Sequence, residues 1–444
     1  MTESITSKSP SLAPQFFRLA AINILSNVTT PLAGIVDVAF LGHLAEVKHL
    51  AGVALASVLF DYLYWSFGFL RMATTGLTAQ AVGREDRQEA ILVGVRNGAI
   101  AIAVGSAILL FQLPVREIGF WLLQGEPAIE AAGRGYFNAR VWGALPSLLN
   151  YVLIGWFLGQ ARSSIVLLLT IVGNTTNVVL NYYFIAQWGW GAAGAGWGTS
   201  LSQLAMTIVG ILAIAPALRT IHWDKAWPDI WRQSAIVSAF SLNANLMVRT
   251  FALMTTFAIF TNIGSLLGTT ILAANALLLQ VFILGAYITD GLAFATESLT
   301  GILDGRGLQK SMRSLLWLSG VSGEVVGVTV AAAFVLRPQF LLGLLTDRPD
   351  VINTALAFVP WLIPVLGLGA LAFMLDGYFL GIAAGSALRN STLWGTFIGF
   401  LPCGAIALWH RNPHYLWLGL SAMMGLRAVA LLAQVPRTLA SGDR

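Results

Sequence analysis

Charge is scarce in this sequence. Asp, Glu, Lys and Arg make up 10% of its 444 residues, against about a quarter in ordinary soluble domains. That scarcity excludes a water-soluble globular chain. There is a single cysteine, Cys403, so no intramolecular disulfide can form. Histidine is almost as rare. His43, His49, His222, His410 and His414 fall between the apolar runs and give no metal-ligand spacing. No lysine follows the glycines of "GWGAAGAGWGTS", Gly189 to Ser200, so the segment is not a P-loop and nothing couples the chain to ATP. Strict apolar–polar alternation is missing too, which excludes a transmembrane β-barrel. An enzyme is not expected, nor is a cofactor.

What the chain has in quantity is apolar sequence: 57% of its residues are hydrophobic and the mean hydropathy is +0.76. Runs of twenty or more such residues recur, each long enough to cross a ~30 Å hydrocarbon core as a helix. The pattern predicts an all-α integral membrane protein with twelve spans, near 16–41, 50–70, 90–113, 136–159, 163–186, 190–215, 233–262, 270–297, 314–336, 351–383, 391–409 and 414–435. The first fourteen residues are polar and no small-residue cleavage pattern follows, so a retained N-terminus is expected.

The net charge of +5 is a topology signal before it is a partner signal. With the N-terminus inside, seventeen Lys and Arg fall in cytoplasmic segments and seven outside, Arg427 being counted with the former. Both termini are therefore expected in the cytoplasm of a multi-pass cell-membrane protein. A nucleic-acid partner is not needed.

The sequence also repeats. "LAGVAL" at 50–55 returns as "LAANAL" at 272–277, Gly83-Arg84 as Gly305-Arg306, and "GWFLG" at 155–159 as "GYFLG" at 377–381. All share an offset of 222, which predicts a duplication: an amino-terminal lobe over 1–215, a linker over 216–232 and a carboxy-terminal lobe over 233–444. With six spans each, the lobes enter from the same side, related by a pseudo-two-fold axis along the membrane normal.

Ionisable residues inside the spans each cost ~2.5–3.5 kcal/mol at a helix centre and default to functional readings. They are Asp37, Asp61, Arg249, Asp290, Glu324 and Asp376. Asp37 ends a stripe of Asn23, Asn27, Thr30, Gly34 and Asp37 spaced 4, 3, 4, 3 along one helical face. A packing seam or a headgroup-level aspartate would show the same pattern. Pro31 in that helix removes an internal hydrogen bond and offers a hinge. Thr170, Asn174, Asn177 and Asn181 form a second stripe, which interhelical packing alone could explain. Thr199 adds a hydroxyl at the start of the sixth span. Asp290 and Glu297 are seven apart and share a face, while Arg249 follows Ser241 and Asn245 at four-residue spacing and is a candidate counter-ion for one of the acids. Spacing does not say which.

Four longer motifs carry a resemblance: "PLAGIVDVAFLGHL", "FLRMATTGLTAQAVG", "DGLAFATESLTG" and "LDGYFLGIAAGSALRNS". Together with Arg249 in "NANLMVRT" they resemble the multidrug and toxic compound extrusion (MATE) family, in its DinF-like branch. The resemblance implies a V-shaped pair of six-helix lobes that exports organic, cationic or amphipathic compounds in exchange for H⁺ or Na⁺. It implies that Asp37 is the carboxylate at the coupling-ion site and that Asn177, Asn181 and Thr199 are its neighbours, the same four being the candidate Na⁺ ligands. Many relatives carry Asp where this chain has Asn181, and the missing charge favours H⁺ over Na⁺. Asn27, Asp61, Arg249, Asp290, Glu297 and Asp376 remain candidates for the cavity or for coupling. The expected partners are a small-molecule cargo and the bilayer, with the chain acting as a monomer. A flippase for a lipid-linked or amphipathic molecule is the alternative, and a membrane scaffold a more distant one.

Overall fold

A computed structural model describes residues 12–42, 46–221, 223–230 and 232–440, without the side chains of 30–33, 35–38 and 225. Among the described residues there are helices and connections but no strand. The amino-terminal half contains α1 (Leu12–Gly42), α2 (Val47–Ser66), α3 (Phe69–Gly83), α4 (Arg87–Leu110), α5 (Gln112–Leu123), α6 (Pro127–Arg140), α7 (Ala144–Gly159), α8 (Ser163–Asn181) and α9 (Gly191–Leu218). A short helix, α10 (Trp223–Ile230), leads into α11 (Gln233–Leu267), α12 (Thr269–Gly305) and α13 (Gln309–Leu336). The chain closes with α14 (Pro338–Gly343), α15 (Pro349–Leu356), α16 (Leu362–Gly381), α17 (Gly385–Trp394), α18 (Leu401–Trp409), α19 (His414–Leu432) and α20 (Val435–Ala440).

Among the described residues eleven helical stretches are long and apolar enough to cross a membrane, and α1, with 31 residues, precedes them as the first of twelve crossings. Several crossings are built from two helices. α2 and α3 form one stretch broken only at Phe67-Gly68, so the second crossing runs on to Gly83 instead of stopping near residue 70. The stretch expected as one span over 351–383 divides. α15 ends at Leu356, a 3₁₀ turn holds Val359–Trp361, and the crossing is Val359–Gly381. Pro360 has no N–H to continue the ladder of α15. Two π-helical turns, Tyr182–Gln187 and Gly395–Phe400, follow α8 and α17 directly.

Contacts divide the chain into two units: Leu25–Phe240, and Met1–Ile24 with Ser241–Arg444. In the first, Phe60 stacks on Phe137 at 5.0 Å and meets Tyr136 edge-on at 6.0 Å. In the second, Phe260, Leu278, Leu362, Leu366, Trp417 and Leu420 form the buried core, and Trp417 Nε1 donates to Asn275 Oδ1 at 3.0 Å. The early turns of α1 belong there, since a Cβ on Gly291 of α12 would stand 2.6 Å from the backbone nitrogen of Ile24.

The repeat reappears as matched contacts. In the first unit, a Cβ on Gly155 would meet Arg71 O at 2.5 Å and Thr74 Cβ at 3.0 Å, and one on Gly159 would meet Thr75 O and Thr78 Cβ at 2.7 Å. In the second, Gly377 presses on Ala293 O at 2.6 Å and on Thr296 Cβ, and Gly381 on Glu297 O at 2.6 Å and on Thr300 Cβ. Every one of these partners is shifted by 222. Three pairs of left-handed residues share the offset, while Gln124, Gly191 and Gly268 stand outside it. Glu85 (φ 60) answers to Gly307 (φ 68), Ala161 (φ 55) to Ala383 (φ 55), and Gly189 (φ 68) to Arg411 (φ 51). The duplication is thus one of close backbone packing and turn geometry, not only of letters.

Candidate functional site

Among the described residues, the sequence-predicted candidates gather in two polar constellations, one in each unit. The first is built where α8 meets α9. Asn174, Asn177 and Asn181 recur every three or four residues and so line one face of α8. Asn181 Nδ2 donates to Asn177 Oδ1 at 3.3 Å, and Asn177 Nδ2 donates to Thr199 Oγ1 of α9 at 3.3 Å. The Thr199 hydroxyl donates onward to Ala195 O at 2.9 Å. The structure therefore brings together three of the four residues expected at the coupling-ion site. The fourth, Asp37, lies in α1, but its side chain falls outside the described residues, as does that of Pro31.

Close approach at this site depends on a glycine that spacing did not single out. A Cβ on Gly198 would stand 2.0 Å from Asn181 Oδ1, so any larger residue there would push the amide out of its place. One turn earlier on the same face of α8, Asn174 Nδ2 donates to Thr29 O of α1 at 3.0 Å, tying α8 to the first crossing. The cluster itself is neutral. It offers amide and hydroxyl oxygens but no charge, so a bound cation or a transferable proton requires a carboxylate added to it.

The second constellation answers what the sequence left open about Arg249. Its Nη2 donates to Asp376 Oδ2 of α16 at 2.5 Å, and Arg427 Nη2 of α19 donates to the same oxygen at 2.5 Å. Arg427 also reaches Met424 Sδ at 3.4 Å. Asp376 is 3% exposed, Arg249 5% and Arg427 0%. The assignment of Arg427 to a cytoplasmic segment is therefore corrected. It sits inside α19, paired by charge, and the expected basic bias becomes sixteen to seven. The missed signal was its position, thirteen residues into an apolar helix that begins at His414.

The other candidates are dispersed. Asn27 lies half-buried on α1 and Asp61 exposed on α2, both in the first unit. Asp290 and Glu297 both belong to α12, as the seven-residue spacing requires, with Glu297 buried and Asp290 half-buried. Glu324 is half-buried on α13. His49, expected between spans, falls in the first turn of α2, where its Nδ1 accepts from Ala192 N at 3.3 Å. Among the described residues no group of three or more His, Cys, Asp or Glu side chains could hold a metal ion.

The family profile described as MatE matches residues 23–183 and again 246–403, one stretch in each half. The chain belongs to the MATE family. This MATE protein is 31% identical to DNA damage-inducible protein F of Escherichia coli (strain K12) over 426 residues, covering 94% of this chain and 90% of that one. It is 28% identical to the probable multidrug resistance protein NorM of Rhizobium meliloti (strain 1021), covering 89% and 86%. A solved outward-facing multidrug resistance MATE transporter of the MOP superfamily matches with a TM-score of 0.88 at 18% identity, over 98% of this chain and 97% of that one. A MATE in the bent conformation matches at 0.87, 18% identity and 97% and 96% coverage. The fold is accordingly that of a MATE transporter, with twelve transmembrane helices in two six-helix lobes. The protein is a multi-pass membrane transporter, not an enzyme.

Proposed function

We propose that this chain is a secondary active antiporter that exports organic cationic or amphipathic compounds in exchange for H⁺, with Asp37 as the proton carrier. The Asn177–Asn181–Thr199 cluster, on the same face of α8 as the Asn174 that bonds Thr29 O of α1, carries the reading. α1 and α8 are the first and fifth crossings and so run the same way through the membrane. Thr29 O meets Asn174, and Asp37 lies eight residues beyond Thr29 while Asn181 lies seven beyond Asn174. At about 1.5 Å of rise per residue, position 37 and Asn181 share one depth to within a residue or two. A lone carboxylate beside neutral amides suits a proton better than Na⁺, which gains more from two charges. Protonation from outside then competes with cargo and favours a bend of α1 at Pro31, which releases the cargo. The sixteen-to-seven basic bias supports cytoplasmic termini for the protein acting as a monomer in the inner membrane.

The test is efflux of a cationic dye by Asp37→Asn at matched membrane abundance. The amide keeps size and polarity but cannot titrate, so insertion should survive while efflux driven by a pH gradient is lost. Normal efflux at normal abundance removes Asp37 from the mechanism. A Na⁺ gradient that drives transport at uniform pH, with Asn181 unaltered, reassigns the ion. Tags at both termini should resist protease added to intact cells.

A further inference from the structure

The flank of the second unit carries a groove of about 690 Å³ between α13, α16 and the α19–α20 corner. Trp317 and Gly320 of α13, Leu371 and Leu375 of α16, and Pro436 of α20 line it, and one charged residue, Arg313, stands among the lining side chains. Arg313 is exposed and has no hydrogen bond or ion pair among the described residues. The groove's floor is a deliberate gap. Gly323 and Gly327, one and two turns further along α13, are packed tightly against Met374 and Leu366 of α16, whereas a Cβ on Gly320 would meet nothing within 4 Å.

The dimensions follow α13. From Arg313, in its second turn, to Val321 is eight residues, roughly 12 Å, close to the roughly 15 Å of hydrocarbon in one leaflet. Trp317, 70% exposed, stands between, an indole at the depth where aromatic side chains anchor helices. A cation at the headgroup end and apolar walls below match an amphiphile with an anionic head and a long chain. No carboxylate lines the groove to pair with the ammonium of a zwitterionic head. A second cavity near α12 and α15 differs in this respect. Its Arg348 is already paired with Asp350 at 3.3 Å, so it presents no free charge.

We propose that the α13–α16–α20 groove is a binding site for one anionic phospholipid, its phosphate on Arg313 and one acyl chain laid over Gly320. In the orientation proposed above the lipid belongs to the inner leaflet, whose anionic lipids attract basic residues at the membrane surface. Its chemistry does not depend on that orientation or on the coupling ion.

Native mass spectrometry of the delipidated full chain, titrated separately with phosphatidylglycerol and phosphatidylcholine of the same acyl length, tests the site. The wild type should take up one equivalent of phosphatidylglycerol about fivefold more tightly than phosphatidylcholine, the discrimination expected of one arginine near the surface. Arg313→Gln should abolish the preference while keeping the fold. Gly320→Leu, whose Cβ meets nothing within 4 Å and whose side chain projects into the groove, should remove the tight equivalent for both lipids. Equal binding of the two lipids by the wild type, or a preference that survives either substitution in a protein of normal elution volume, overturns the proposal.

Discussion

Asp376 shows how misleading one residue can be when read alone. As a carboxylate in an apolar run it looks like a carrier, yet two guanidinium groups close on one of its oxygens. Removing it leaves two buried cations facing each other, a loss of about 3–5 kcal/mol by analogy with broken buried pairs. Asp376→Asn should therefore fail in membrane abundance before it fails in transport. Arg427→Met added to Asp376→Asn removes one of the opposed charges, and the double variant should recover most of the abundance on an immunoblot and its dye efflux with an unchanged pH profile. Recovered abundance with absent efflux would instead place Asp376 in the transport chemistry. The sequence made Arg249 visible as a cation needing a partner, because intramembrane arginines are rare. It did not reveal Arg427, since a charge late in an apolar run reads equally well as a headgroup anchor until α19 is seen to continue to Leu432.

At the scale of the element, α10 is held by a buried arginine. Arg96 of α4 pairs with Glu89 at 2.6 Å and donates to Asp229 O at 2.8 Å and Ile230 O at 3.2 Å. These are the last carbonyls of α10, groups a helix cannot satisfy by itself. Ala226 and Ile230 pack beside Leu92 on the same contact. Arg96→Ala should weaken this docking by roughly 2 kcal/mol, and limited proteolysis between α9 and α11 should speed up about tenfold or more. α5 and α6 carry a different cluster, with the Glu117 carboxylate exposed at its centre. Arg134, with Arg116, holds the Glu117 carboxyl down to about 2 from its ordinary 4.5. A depressed acid contributes its stabilisation above its ordinary range and loses it only as pH falls toward the lowered value. Glu117 therefore stays ionised from pH 5 to 8, and Glu117→Gln should leave the pH profile of efflux unchanged across that window. Helix number was legible in the apolar runs, because lipid demands about twenty apolar residues per crossing. Helix ends were not. α3 and α12 extend well beyond the apolar stretch, where water no longer penalises polar residues and only turn geometry stops the helix.

For the molecule as a whole, the repeat was the most legible feature and the division into units the least. An offset of 222 is written in the letters, but no composition signal marks Ile24 as the point where α1 passes from one unit to the other. On the second unit's side of that point, Gly291 admits the backbone of Ile24. A consequence is that residues 233–444 expressed alone should be degraded, lacking the early turns of α1, while co-expression with residues 1–232 should restore both fragments and dye efflux. Stable, abundant 233–444 in isolation would contradict it. The Asn177–Asn181–Thr199 cluster was legible as a stripe on α8 but not as a cluster, because only the fold shows Gly198 giving way to Asn181.

The shared offset also separates what was inherited from what was invented. The contacts of Gly155 and Gly159 with those of Gly377 and Gly381, and three pairs of left-handed residues, stand 222 apart, as features of a single six-helix ancestor would. The intramembrane charges do not. Counted by the same offset, Asp37 corresponds to Ile259, Asp61 to Ile283, Glu324 to Ile102, Asp376 to Ile154, Arg249 to Asn27 and Arg427 to Ala205. Each charged position has an uncharged twin. An ancestor forced to pair with an identical copy would have buried every such charge twice. Fusion into one chain lifted that constraint, and each lobe could then acquire intramembrane charges of its own without altering the frame they share.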